Sequence, residues 1–147
     1  MNINDWKYRL ALALSNTSWD EYELADHFLS QLANSFQWKQ YVFLHHRLGS
    51  SSKPHFISTN ISEYHSLGEG LTPQSNLPAI SFWSNDDITK SDNLFAEDKA
   101  DCILQFSNNY ILWIQGADVA SFENWIHDNS KLCERFIEQV NYRLKDY

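Results

Sequence analysis

The sequence predicts an α+β domain: one antiparallel sheet of about five strands, helices on both faces, and a long C-terminal helix. Three observations carry that expectation. Residues 101–107 and 110–116 read as two strands around Asn108-Asn109. A stripe of Phe122, Trp125, Ile126, Cys133, Phe136, Ile137, Val140 and Leu144 follows at helical spacing over 119–144. A second strand pair, 38–48 and 54–59, lies upstream around Gly49-Ser50-Ser51-Ser52. A hairpin with one apolar face and a helix with one apolar stripe bury each other, which makes the core of a sheet-on-helix domain.

The elements follow in chain order. Residues 5–14 read as a short helix with Trp6, Leu10 and Leu14 in register, broken at Asn16-Thr17. Ser18-Trp19-Asp20-Glu21 has the spacing of a capping box. The helix it opens runs to about Phe36, with Leu24, Ala25, Phe28, Leu29, Leu32 and Phe36 as its apolar stripe. In the 38–48 strand, Tyr41, Phe43 and His45 point to one face, and Val42, Leu44 and His46 to the other. Residues 61–67 read as a short helix with Asn60 or Ser62 as its cap, and 68–77 as loop by Gly, Pro and Ser content. Residues 79–83 are short and apolar, as an edge strand or a packed loop would be. Residues 84–99 are polar and acidic, with one helical turn expected at 94–96, and are expected to be the most mobile part of the chain. In the closing hairpin Cys102, Leu104 and Phe106 alternate with Asp101, Ile103 and Gln105, and Asn-Asn suits a two-residue turn because Asn tolerates positive φ. Asp118 or Ser121 caps the last helix.

The chain has 147 residues, which implies a single domain over 1–147. Hydrophobic residues at 43% exclude a disordered chain. Six Trp, seven Tyr and nine Phe imply an aromatic core, an aromatic ligand pocket or an adhesive interface. The net charge of −8 argues against sequence-independent nucleic-acid binding, which needs a basic face. It suits solubility or a basic partner. No apolar run is long enough for a membrane span, and the N-terminus has no signal-peptide pattern. Two cysteines, Cys102 and Cys133, both on apolar faces, read as reduced core residues of a cytoplasmic protein.

Catalytic patterns are missing. Adjacent strand residues point to opposite faces, so His45 and His46 cannot share a metal. The cysteines are not at CxxC spacing, and no HExxH, P-loop, GxGxxG or GxSxG pattern occurs. The chain therefore reads as non-enzymatic and without a cofactor.

Leu29-Ser30-Gln31-Leu32-Ala33, Tyr41-Val42-Phe43, Lys53-Pro54, Thr59-Asn60-Ile61-Ser62-Glu63-Tyr64 and Ile80-Ser81-Phe82-Trp83 together resemble the autoinducer-binding domain of LuxR-type quorum-sensing regulators. PAS-like and GAF-like sensory domains share the general plan. In the family an Asn-Tyr-Pro-x-x-Trp segment enters a helix; Tyr64 stands here where that Trp usually is. The family also has an Asp-Pro pair whose Asp hydrogen-bonds the amide of an acyl-homoserine lactone. The only candidate pair here is Leu77-Pro78, in a shortened 68–78 segment, and Leu cannot accept that bond. An amide left without a buried partner costs roughly 1–3 kcal/mol. On the last strand the family tends to place a small hydroxyl residue towards the pocket, where Trp113 falls here. The standard lactone is therefore not expected to bind.

The resemblance implies a sensory domain acting in transcription or quorum-sensing regulation, as a homodimer or as a heterodimer with a full-length regulator. No helix-turn-helix follows Tyr147, so the chain alone is not expected to read DNA. A small apolar ligand other than the lactone would be walled by Tyr41, Phe43, Phe56, Tyr64, Phe82, Trp83 and Trp113. The reading from another class is an acidic immunity or inhibitor protein that covers a basic toxin or enzyme.

Overall fold

The computed structural model describes residues 18–46, 55–61, 73–74, 77–91, 100–116 and 118–144, with single positions at Tyr8, Leu12 and Leu14. The order is α1 (Glu21–Phe36), β1 (Gln40–His45), β2 (His55–Thr59), β3 (Ile80–Phe82), α2 (Asn85–Ser91), β4 (Cys102–Phe106), β5 (Tyr110–Gln115), α3 (Val119–Asp128) and α4 (Ser130–Arg143). The five strands form one antiparallel sheet in the order β2-β1-β5-β4-β3. The chain is α+β, as its periodicity predicts.

Helix α1 begins two residues later than the Ser18 capping box implies. Its cap is Asp20, whose carboxylate accepts the Glu23 N–H at 2.8 Å. A carboxylate also suits the positive end of the helix dipole. The helix ends where Gln37 turns to φ 56 and the Trp38 N–H returns to the Ala33 carbonyl. The predicted stripe faces inward, with Leu24, Ala25, Phe28, Leu29 and Leu32 buried and Phe36 half-buried.

Both faces of the central strands are covered, so β1 and β5 are apolar on both sides. Tyr41, Phe43, Leu104, Tyr110 and Leu112 point into the larger core, under α1, α3 and α4. Val42, Leu44, Ile103, Ile111 and Trp113 form a second core, to which Ile88 of α2 contributes. That short helix lies within the segment expected to be polar and mobile. Ser84 and Asp87 explain it. The Ser84 hydroxyl accepts the Asp87 N–H and donates to the Asp87 carboxylate, a reciprocal cap at the spacing of a capping box. The turn expected at 94–96 and the helix expected at 61–67, Ile61 apart, fall outside the described residues. The Asn60 side chain accepts the Tyr41 N–H and donates to the Lys39 carbonyl.

The closing hairpin and helix differ from expectation in two places. The turn has three residues, Ser107–Asn109, in a 3-10 conformation, and only Asn109 takes positive φ, at 66°. Phe106 faces Tyr110, so a two-residue Asn108-Asn109 loop would be one residue too short. The long helix is two helices. Asp118 caps α3, accepting from the Ser121 N–H and hydroxyl. At Asn129 the backbone leaves helical geometry, with φ −123° and ψ 29°. The Asn129 side-chain amide donates to the Trp125 carbonyl at 2.9 Å, competing with the backbone ladder as short amide side chains do. The Asn129 carbonyl then accepts from Cys133 and starts α4.

Candidate functional site

The richest polar arrangement lies between α1 and the β1–β2 edge, beside a β-bulge. Phe43 pairs with Ser58 but Leu44 pairs with Phe56, leaving Ile57 as the extra residue. Bulges of this kind re-aim side chains. Ile57 joins the larger core, and Ser58 also reaches towards α1. The Ser58 hydroxyl donates to Asp26 at 2.6 Å and lies 3.1 Å from the Tyr41 hydroxyl. Ser58 and Tyr41 are buried, and Asp26 reaches solvent. Burial pushes the Tyr41 phenol above its ordinary value; the Ser58 hydrogen bond pulls it down, and the Asp26 charge pushes it up.

This string ties strand to helix rather than activating a nucleophile. The proton of Ser58 already points at a carboxylate, the partner that makes the strongest neutral-donor bond. No imidazole shares that network among the described hydrogen bonds. Ser58→Ala is expected to destabilise by roughly 1–3 kcal/mol, mainly by orphaning the buried Tyr41 hydroxyl. Adding Tyr41→Phe should recover part of the loss. Urea unfolding of the two single variants and the double variant measures this; strictly additive losses would show that the hydroxyls are not coupled.

A second constellation lies beside it. His45 and His55 are directly opposite in the β1–β2 ladder. The Tyr22 hydroxyl of α1 is 2.9 Å from His55 Nε2. The His45 ring lies 4.5 Å from the Tyr110 ring, and the Tyr110 hydroxyl donates to Asn141 of α4 at 3.0 Å. Burial lowers His55 and raises Tyr110; the Glu21 charge acts upward on both, as the smaller cause. In the chain His45 is next to His46, which alternation turns to the other face of the strand. The structure joins it to His55, a neighbour only through pairing.

The predicted aromatic pocket residues divide between the two faces of the sheet. Tyr41 and Phe43 lie in the helix-side core, and Phe82 packs against it, its ring 6.0 Å from Phe122. Trp83 and Trp113 lie in the second core, with Phe56 packed on it. Tyr64 is outside the described residues. The sheet separates the two groups, so these six do not wall one hollow. Trp113 pairs with Val42 and Ile103 and faces away from α1 and α4.

On the second face Gln105 is 5% exposed and holds a loop. Its side-chain oxygen accepts from Trp83 Nε1 and from the Gln74 N–H, and its nitrogen donates to the Gln74 carbonyl. The sequence shows Gln105 only as the polar member of an alternation, because its partners are far away in the chain.

Both thiols are free and buried, and burial pushes each up to about 12, so neither is a nucleophile near neutral pH. Among the described residues no group of three or more His, Cys, Asp or Glu is placed to hold a metal, and no helix is long and apolar enough to cross a membrane. No family model, no curated protein and no solved structure matches this chain.

Proposed function

We propose that the chain is a LuxR-like regulatory domain that is not an enzyme and acts in the cytoplasm on transcription or quorum sensing by contact with another protein. The partner is a full-length regulator, and the product is a non-productive heterodimer. One observation carries contact over ligand capture. Between sheet and helices, where a sensor of this plan would enclose an apolar signal, ring lies on ring. Phe28 stacks on Phe136 at 3.9 Å, and Phe43 on Tyr110 at 5.6 Å. The resembling segments 29–33 and 41–43 and the antiparallel five-stranded sheet support the same reading. Fold-level likeness alone does not give function, so the test is physical.

Light scattering on the purified chain, alone and mixed with a LuxR-type regulator, is expected to show a dimer or a heterodimer. A monomer that retains no regulator in a pull-down would refute the reading. An acyl-homoserine lactone is expected to leave the melting temperature unchanged; a saturable rise would instead mark a ligand-holding sensor.

A second reading, an acidic inhibitor of a basic toxin or enzyme, is favoured by one feature. Asp20, Glu21, Glu23 and Asp26 crowd the start of α1, and the helix has no lysine or arginine. Binding through that face would weaken steeply with salt, whereas an apolar helical seam would not.

A further inference from the structure

We propose that the facing histidines His45 and His55 form an acid-sensitive latch between the β1–β2 edge of the sheet and the start of α1. The proposal stands on the contacts themselves and is independent of the function proposed above.

Each histidine is held by a different partner. His55 meets Tyr22 of α1 through the 2.9 Å contact, and the two rings are edge to face at 5.7 Å. His45 lies on the ring of Tyr110, which is buried and bonded to Asn141 of α4. The two imidazoles project from directly opposed positions of an antiparallel pair. Opposed residues in such a pair have Cβ atoms about 5 Å apart, and like charges there destabilise the pairing. Both rings are half-buried, so water screens them only in part.

Burial lowers His55 below its ordinary value, so above neutral pH its ring is neutral and rests against Tyr22 without a charge. Acidification has three effects. It charges rings that the core partly desolvates. It places two positive charges across one ladder position. It puts a proton on both nitrogens of His55, so Nε2 can then only donate to the Tyr22 hydroxyl, whereas the neutral ring can take either role with its tautomer. Glu21 opposes these effects, because its carboxylate attracts an imidazolium at His55, but burial is the larger influence there. Asp26 also faces β2 from α1, and its described bond goes to Ser58. The sign follows. A histidine held below its ordinary value contributes stability that is present above about pH 6.5 and is lost as pH falls through its folded value. What loosens is the seam of α1 on β2, where both Tyr22–His55 and Asp26–Ser58 lie.

Amide hydrogen exchange on the intact chain tests the latch. After correction for intrinsic rates, exchange in the first turns of α1 should rise about tenfold between about pH 7.5 and about pH 5.5, while the α4 amides change little. His55→Gln should abolish that rise, and His45→Gln should reduce it and stands in if the first variant does not fold. His27→Gln should keep the rise; His27 is a further α1 histidine lowered by burial, with its ring on Trp19. Protection of α1 that does not change with pH, a rise that persists in both His55→Gln and His45→Gln, or its loss in His27→Gln would overturn the proposal.

Discussion

Phe136→Ala should cost roughly 3–5 kcal/mol of stability, the range for removing a large buried ring and leaving a cavity. The position joins three elements. Phe136 is fully buried on α4, stacks on Phe28 of α1 with the planes 11° apart, and lies 5.7 Å from the Phe43 ring of β1. Its loss therefore opens helix–helix and helix–sheet contacts at once, and the stack adds about 0.5–1.5 kcal/mol beyond area burial. A domain of this size has only about 5–15 kcal/mol in hand. At about 2–4 °C per kcal/mol, the melting temperature should fall by roughly 6–20 °C. Tyr8→Ala is the control: Tyr8 is 69% exposed, and surface changes stay within about 0.5 kcal/mol. A loss below about 1 kcal/mol at Phe136 would mean that the helix-side layer is not the close-packed core described above, and the argument for contact over ligand capture would lose its support.

What the sequence revealed and what it concealed divide by distance along the chain. The α1 stripe, the division of β1 into two faces and the pairing of β4 with β5 all follow from short-range periodicity, and all were legible. The Ser84–Asp87 cap was equally local, but the acidic run around it drew the reading towards loop. Asn129 was concealed differently. The apolar stripe continues across the break, and nothing in hydrophobic spacing reports an amide that takes a backbone carbonyl. The polar networks were the least legible. Ser58 meets Asp26 only once β2 is paired on β1, opposite Phe43, and His45 meets His55 only because a bulge adds one residue to β2. Pairing register is a property of two strands together, so single-strand alternation could forbid His45 with His46 but could not propose His45 with His55. The aromatic pocket residues show the same limit. Phe82 and Trp83 are neighbours in sequence and lie on opposite sides of the sheet, an outcome that alternation itself dictates once both are placed at the β3 edge.

Gly116→Ala should cost roughly 2–6 kcal/mol, and sterics rather than backbone preference should dominate. Gly116 follows β5 with φ 83°, where a non-glycine residue costs roughly 1–3 kcal/mol. A Cβ built there would lie 2.8 Å from Lys39 Cβ and 3.0 Å from Lys39 N. Neither atom is the free end of a side chain, so relief requires the backbone at Lys39 to move, and overpacking of this kind costs about 1–3 kcal/mol. That movement also strains the bond from the Lys39 N–H to the Gln115 carbonyl, at 2.9 Å, which fastens the start of β1 to the end of β5. On the other side the Gly116 N–H donates to the Asp101 carboxylate, so the glycine cannot withdraw freely. Gly116→Asn separates the two causes. Asn tolerates the left-handed region, so if φ were the main cost it would recover most of the loss. If the Lys39 clash dominates, Asn should be no more stable than Ala, because both carry the same Cβ. Denaturant midpoints of the two variants decide between these outcomes. Asn clearly more stable than Ala would show that the β1–β5 end has room to shift, and that Gly116 is there for its dihedral angle alone.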